Sequence, residues 1–199
     1  MIPQIILSID VPGRATGGFV RWDRQTNMLG IGTLRFKQTD SEAEDYRRLL
    51  TTVANQKPDI IIIEHPFLYL IGGVIGGLKA WAAWNHIPWW MVTASGAKKA
   101  VLGNGRASKT EVLTWAKKTF AKRWSITQPE SITQHQADAL LYLVAWEYKH
   151  EEMKEEYNLT PKETKNLLCK INLAFQTKKL TSNDVEYSDR KIQNINGLE

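Results

Sequence analysis

Four consecutive isoleucines at 60–63, followed by Glu64, constrain this chain more than any other stretch. A run so short and β-branched reads as a strand, and a strand apolar at every position is buried on both faces. That pattern belongs to a parallel pair in a sheet with helices packed on each side. Glu64 closes the strand, where an unpaired buried carboxylate is costly and calls for a partner. Residues 4–10, QIILSID, repeat the scheme with a second short apolar strand ending on Asp10.

The remaining elements follow from turns and periodicity. Pro12-Gly13 turns the chain, residues 17–22 and 29–36 read as strands separated by a turn near Asn27, and together with 4–10 they make an antiparallel meander. Residues 88–92 supply a fifth strand. Helices are expected over 41–57, where Ser41 and Glu44 form a capping box, and over 109–122, opened by a second box at Ser108 and Glu111. A helix over 134–149 carries Ala137, Leu140, Leu141, Val144 and Ala145 as an apolar stripe. Residues 70–85 alternate small and aromatic side chains. Their four glycines oppose a helix on propensity, while the small-residue face suits close approach of a second helix, such as one from a subunit partner. The expected fold class is α/β, a central mixed five-stranded sheet flanked by helices. One domain spans 1–157, and 158–199 is a polar extension, partly helical (161–176) or disordered.

Composition excludes several classes. At 43% hydrophobic and 24% charged the chain is an ordinary globule, and its single cysteine, Cys169, supplies neither an internal disulfide nor a metal cluster. No apolar run reaches the roughly 18 residues of a membrane span, and the first residues lack a signal-peptide layout, so a cytoplasmic location is expected. Charge is unevenly spread: residues 1–149 hold 18 basic against 12 acidic residues, whereas 150–199 hold 8 against 9. Within 98–123 stand eight basic residues and one acid, Glu111, the footprint of a polyanion-binding surface. Lys117, Lys118, Lys122 and Arg123 fit a solvated helix face equally well; Lys98, Lys99, Arg106 and Lys109 fit it less well. The latter four surround Gly103-Asn104-Gly105, read as a basic loop feeding a helix N-terminus, which is an anion site. GNGRASKT imitates a nucleotide-binding P-loop, but Ser108 stands where the glycine before the lysine is required.

Asp10 and Glu64 end strands, and His135 with Asp138, three residues apart, shares a face near a helix start. Beyond the strand ends of an α/β sheet such groups converge from distant positions. Clustered carboxylates persist when a divalent cation offsets their repulsion, and oxygen donors suit Mg²⁺ or Mn²⁺. Singly, each residue has an ordinary reading: Asp10 as a turn or cap residue, His135 as a helix-start residue, Asp138 as a complement to the helix dipole. Their joint placement favours a metal site.

In these same stretches the chain resembles the RuvC family of Holliday-junction resolvases, within the RNase H-like (retroviral integrase) superfamily, over about residues 4–148. IDVPGRATGG is similar to the first family motif, with Asp10 as first ligand and Thr16-Gly17 at the family spacing. IIIIEHPF is similar to the second, with Glu64 as ligand and Phe67 three residues on. KKAVLGNGRASK is similar to the basic segment, Lys98 and Lys109 matching its two DNA-contacting lysines, and HQADAL to the last motif, which supplies His135 and Asp138. Three departures stand out: Val11 interrupts the usual Asp-Pro-Gly, His65 replaces a glutamine, and histidine occupies 135 where many members carry aspartate. The tryptophan-rich segment 81–90 and the tail suggest a divergent, phage-type member.

The resemblance implies an RNase H-like fold and a homodimer that nicks two symmetric strands of a four-way DNA junction with Mg²⁺, Mn²⁺ being able to substitute. It casts Asp10, Glu64, His135 and Asp138 as catalytic metal ligands, and Phe67, Lys98, Lys99, Arg106 and Lys109 as DNA contacts. Phe67 is equally readable as a core residue. Two alternatives stay open: a relaxed nuclease acting on flaps, Y-forks or RNA–DNA hybrids, and a non-catalytic nucleic-acid-binding protein on the same fold.

Overall fold

The computed structural model describes residues 3–11, 16–36, 41–65, 69–124 and 129–157. The expected Pro12-Gly13 turn, Phe67, and the extension at 158–199 with its helix at 161–176 lie outside these residues.

Five strands form one mixed sheet in the order β3-β2-β1-β4-β5. Strands β1 (Ile5–Asp10), β2 (Thr16–Asp23) and β3 (Met28–Arg35) make the antiparallel meander, and β4 (Ile60–Glu64) and β5 (Trp89–Val92) continue it in parallel from β1. This is the RNase H-like arrangement. Alternation along β1 and β4 sends Ile6, Ile60 and Ile62 to one face and Leu7, Ile9, Ile61 and Ile63 to the other, each face covered by its own apolar cluster. The isoleucine run is therefore buried on both sides, with all four residues at 5% exposure or less.

One face is covered by α1 (Glu42–Asn55) and α2 (Tyr69–Trp84). Ser41 caps α1 by accepting from the Glu44 N–H. In helix α2 the space left by two of its glycines is filled from outside. A Cβ on Gly73 would run into the hydroxyl of Tyr46 from α1, and one on Gly77 into its ring. These two glycines thus make room for an aromatic that stabilises the helix pair.

The other face carries α3 (Ala94–Leu102), α4 (Lys109–Trp124) and α5 (Gln134–Tyr157), with a short 3₁₀ turn at Pro129–Ser131. Two expectations need correction here. Lys98 and Lys99 do not lie in a loop: they belong to α3, which Thr93 caps by accepting from the Gly96 N–H and which Gly103 ends in the left-handed conformation at φ 72°. Only residues 103–108 form the connection. Second, α5 continues to Tyr157 instead of stopping at 149, since HEEMKEEY contains no breaker. It is also no one-striped surface helix. Residues 139–146 are buried all round, between the sheet on one side and α3 and α4 on the other. No helix among the described residues is long and apolar enough to cross a membrane.

Candidate active site

Parallel pairing of β1 with β4 brings their carboxyl ends side by side. One step beyond the Ile9–Ile63 pair lie Asp10 and Glu64, near enough for the charge of Asp10 to act on Glu64. On the other flank Asp10 is in register with Gly18 of β2. The absence of a side chain at Gly18 matters here, because a Cβ would sit 2.6 Å from the Gln136 nitrogen and the His135 carbonyl oxygen. Only a residue without a side chain lets the first turn of α5 press onto the sheet at this point. His135 consequently reaches Asp10, with Nδ1 2.6 Å from Oδ2.

The start of α5 is fixed by a device with a readable signature, Thr133-x-x-Gln136. Gln136 Oε1 accepts from the Thr133 N–H at 2.9 Å, and Thr133 Oγ1 accepts from the Gln136 N–H at 3.3 Å, a reciprocal capping box. Gln136, itself buried, also donates through Nε2 to Thr33 Oγ1 of β3 at 3.2 Å. One side chain thus caps the helix and moors it to the sheet. Gln134 donates to Asp138 Oδ1 at 3.2 Å.

Acidic and imidazole groups from β1, β4 and α5 therefore gather at the carboxyl ends of β1 and β4, and the ionisation of Glu64, Asp138 and His135 records the crowding. Burial and then the charge of Asp10 push the Glu64 carboxyl up to about 7, with Asp138 adding to the effect. Burial and Asp10 likewise raise Asp138, while Gln134, Lys98 and His135 act in the opposite direction. His135 is raised chiefly by its hydrogen bond to Asp10, against burial and the charge of Lys109. Lys98 thus stands close enough for its field to reach Asp138, and Lys109 close enough to reach His135. Lys99 and Arg106 are exposed on α3 and the 103–108 connection. Ser108 and Glu111 form the expected box, Glu111 Oε2 accepting from both the N–H and the hydroxyl of Ser108 at 2.7 Å.

Sequence reasoning missed Tyr142. It follows Asp138 by four residues and His135 by seven, so it shares their face of α5. It is 2% exposed, and burial and the charges of Glu64, Asp10 and Asp138 raise its phenol, which places it beside the acids. Its spacing was a usable signal, obscured because an aromatic in an apolar helix reads as core. The Thr133/Gln136 box and Gly18 were equally legible as patterns.

Among the described residues no three His, Cys, Asp or Glu side chains close into a ready-made cation cage. Asp10 is instead engaged with His135. In kind the donors suit a hard divalent cation: three carboxylates and one imidazole, with Glu64 and Asp138 raised by burial and by the charge of Asp10.

The class is thus an RNase H-like fold with an acidic cluster at the carboxyl ends of β1 and β4. No protein-family model matches the chain. A protein named crossover junction endodeoxyribonuclease RuvC, from Chlamydia felis, is 28% identical over 124 residues, covering 55% of this chain and 73% of that protein. The structure of Thermus thermophilus RuvC in complex with Holliday junction substrate matches with a TM-score of 0.58 at 18% identity, over 74% of this chain and 94% of that one. Fowlpox virus resolvase, in complex with substrate Holliday junction DNA, matches with a TM-score of 0.52 at 13% identity, over 71% and 95%. Within the RNase H-like class the chain is related to the RuvC-type Holliday junction resolvases.

Proposed function

We propose that this chain is a structure-selective DNA endonuclease that resolves four-way junctions by paired symmetric nicks, acting as a homodimer. The observation that carries the reading is the convergence of Asp10, Glu64, His135 and Asp138 at the carboxyl ends of β1 and β4, under the fields of Lys98 and Lys109. An acidic site would repel a phosphodiester; neighbouring lysines and a bound cation reverse the sign.

Asp10, Glu64, His135 and Asp138 would hold divalent cations, Mg²⁺ with Mn²⁺ able to substitute. Two such cations held by these residues would supply activation of a water and stabilisation of the leaving oxygen. The chain's own residues do the rest. Asp10 keeps His135 oriented through Nδ1, and Gln134 orients Asp138. Lys98 and Lys109 bind strand backbone without reading bases, aided by Lys99 and Arg106. Phe67, three residues past Glu64, stacks on an unpaired base at the crossover.

The test is cleavage of a synthetic four-way junction in Mg²⁺, compared at matched salt with a Y-fork and an RNA–DNA hybrid, with products sized on both strand pairs. Asp10→Asn is expected to lower cleavage at least about a hundredfold, because several kcal/mol of charge stabilisation is lost, while junction binding persists. Unimpaired cutting by this variant removes the site, and equal cutting of all three substrates removes the junction preference.

A further inference from the structure

We propose that Gln136 and Thr33 are a pair of positioning residues for the reaction: the bond between them fixes where the first turn of α5 sits on the sheet, and with it the stance of His135 and Asp138 toward Asp10. This rests on the function proposed above. Asp10 of β1 is in register with Gly18 of β2, and Gly18 with Thr33 of β3, so the three residues form one row across the sheet. The first turn of α5 meets every member of that row. His135 Nδ1 stands 2.6 Å from Asp10 Oδ2 at one end, and Gln136 Nε2 donates to Thr33 Oγ1 at 3.2 Å at the other. Between them the backbone of His135 and Gln136 covers Gly18.

The contact over Gly18 is steric. It limits how closely α5 approaches and leaves the helix free to slide or swivel on the sheet. Hydrogen bonds at the two ends supply that restraint, because each weakens steeply as its geometry is lost. The Asp10–His135 end consists of groups that the proposed chemistry itself uses. The Gln136–Thr33 end involves neither acid nor imidazole, so it anchors the turn whatever Asp10 and His135 engage. Glutamine suits both parts of this task. The Thr133 N–H can only donate, so the amide oxygen faces it and the amide nitrogen is left for Thr33. A glutamate would close the same capping box but bring no N–H to Thr33, and a leucine would give up both bonds. Gln136 is 7% exposed, which leaves water little access to replace either partner. Thr33 is exposed on β3, the last strand on that side of the sheet. The anchor can therefore be cut from β3 without opening the core or touching an acid.

The experiment uses the full-length chain with Thr33→Val, Thr33→Ser and Gln136→Leu. In EDTA, amide hydrogen exchange at Ala137 and Asp138 should quicken about 3–10-fold in Thr33→Val, the worth of one hydrogen bond, and stay at the wild-type rate in Thr33→Ser. On a four-way junction in Mg²⁺, kcat of Thr33→Val should fall about tenfold or more, while Thr33→Ser restores it and junction affinity in EDTA stays at the wild-type value. Adding Thr33→Val to Gln136→Leu should change neither readout further, since the bond is already gone. Ser41→Ala, which strips the cap of α1 on the opposite face of the sheet, controls for lost stability and should leave kcat unchanged. Wild-type exchange in Thr33→Val overturns the proposal, as does quickened exchange with full kcat, or equal losses in Thr33→Val and Thr33→Ser. A wild-type chain that cuts no branched DNA fails the function proposed above and this proposal with it; normal wild-type cutting with unaltered variants fails this proposal alone.

Discussion

At residue 18 a single hydrogen atom in place of a side chain decides where α5 starts. Gly18→Ala would drive a methyl group into the backbone of His135 and Gln136, and overpacking of this kind costs about 1–3 kcal/mol. The helix start should shift off Asp10, so denaturant unfolding should show that loss while cleavage falls further than stability explains. Normal activity with normal stability would mean that the approach of α5 is not tight. Ionisation gives a second residue-scale prediction. Glu64 is raised from its ordinary 4.5 to about 7, and Asp138 and His135 are raised as well. A raised folded-state value means that the proton stabilises the fold, and that this stability is lost as pH rises through the folded value. In EDTA the melting temperature should therefore decline between about pH 5 and pH 7. Mg²⁺ should shrink the decline by taking the proton's place, and Glu64→Gln should flatten it. A melting temperature that rises over this range in EDTA contradicts the crowding of the acids. Asp10, Glu64, His135 and Asp138 were legible because strand-end and helix-start positions can be read locally. Gly18 and Tyr142 stood in readable patterns, but their roles were not legible, because those depend on which element lies across from them.

Among the elements, α2 shows how a local rule is overridden and what remains unexplained by the chain alone. Gly73 and Gly77 are accounted for by Tyr46, but a Cβ on Gly76 would meet nothing within 4 Å. Gly76, Ala80, Ala83 and Trp84 are exposed, Trp84 at 86%. Their spacing of three to four residues puts them on one helix face, small enough for close approach and ending on a large aromatic. If the chain acts as the proposed homodimer, a two-fold pairing of α2 with its copy would cover this face. On this reading Ala80→Arg should convert a dimer into a monomer in sedimentation velocity, with the melting of the monomer little changed. A wild-type chain that sediments as a monomer at all concentrations contradicts the pairing. The element boundaries that sequence missed have physical causes too. The cap at Thr93 lies beside Val92, where a strand ends and leaves one residue before the helix, so α3 was hidden inside what read as a basic loop. The mixed character of the sheet, by contrast, was legible from three strands joined by short turns and from an isoleucine run apolar at every position.

For the molecule as a whole, the excess positive charge of residues 1–149 separates by engagement. Lys117 is paired with Glu130 at 2.5 Å, and Arg123 grips Glu147 with both terminal nitrogens while lying over the rings of Trp22 and Trp124. These cations serve the fold, as the solvated-face reading of α4 anticipated for part of the cluster. Lys98 and Lys109 come from opposite sides of the 103–108 connection, one on α3 and one opening α4, and their fields fall on Asp138 and His135. A polyanion that approaches the acidic edge must pass these two charges. Each lysine bound to a phosphate releases counterions, so Lys98→Ala and Lys109→Ala should each weaken junction binding across sequences and reduce the salt slope by about 1. Lys117→Ala serves as the comparison: its charge is spent on Glu130, so the salt slope should stay at the wild-type value, with a stability change within about 1 kcal/mol. Fluorescence anisotropy of a labelled junction over a salt series in EDTA reads all three without cleavage. A wild-type slope for both Lys98→Ala and Lys109→Ala would place the DNA backbone elsewhere, and a reduced slope for Lys117→Ala would spread the contact surface along α4.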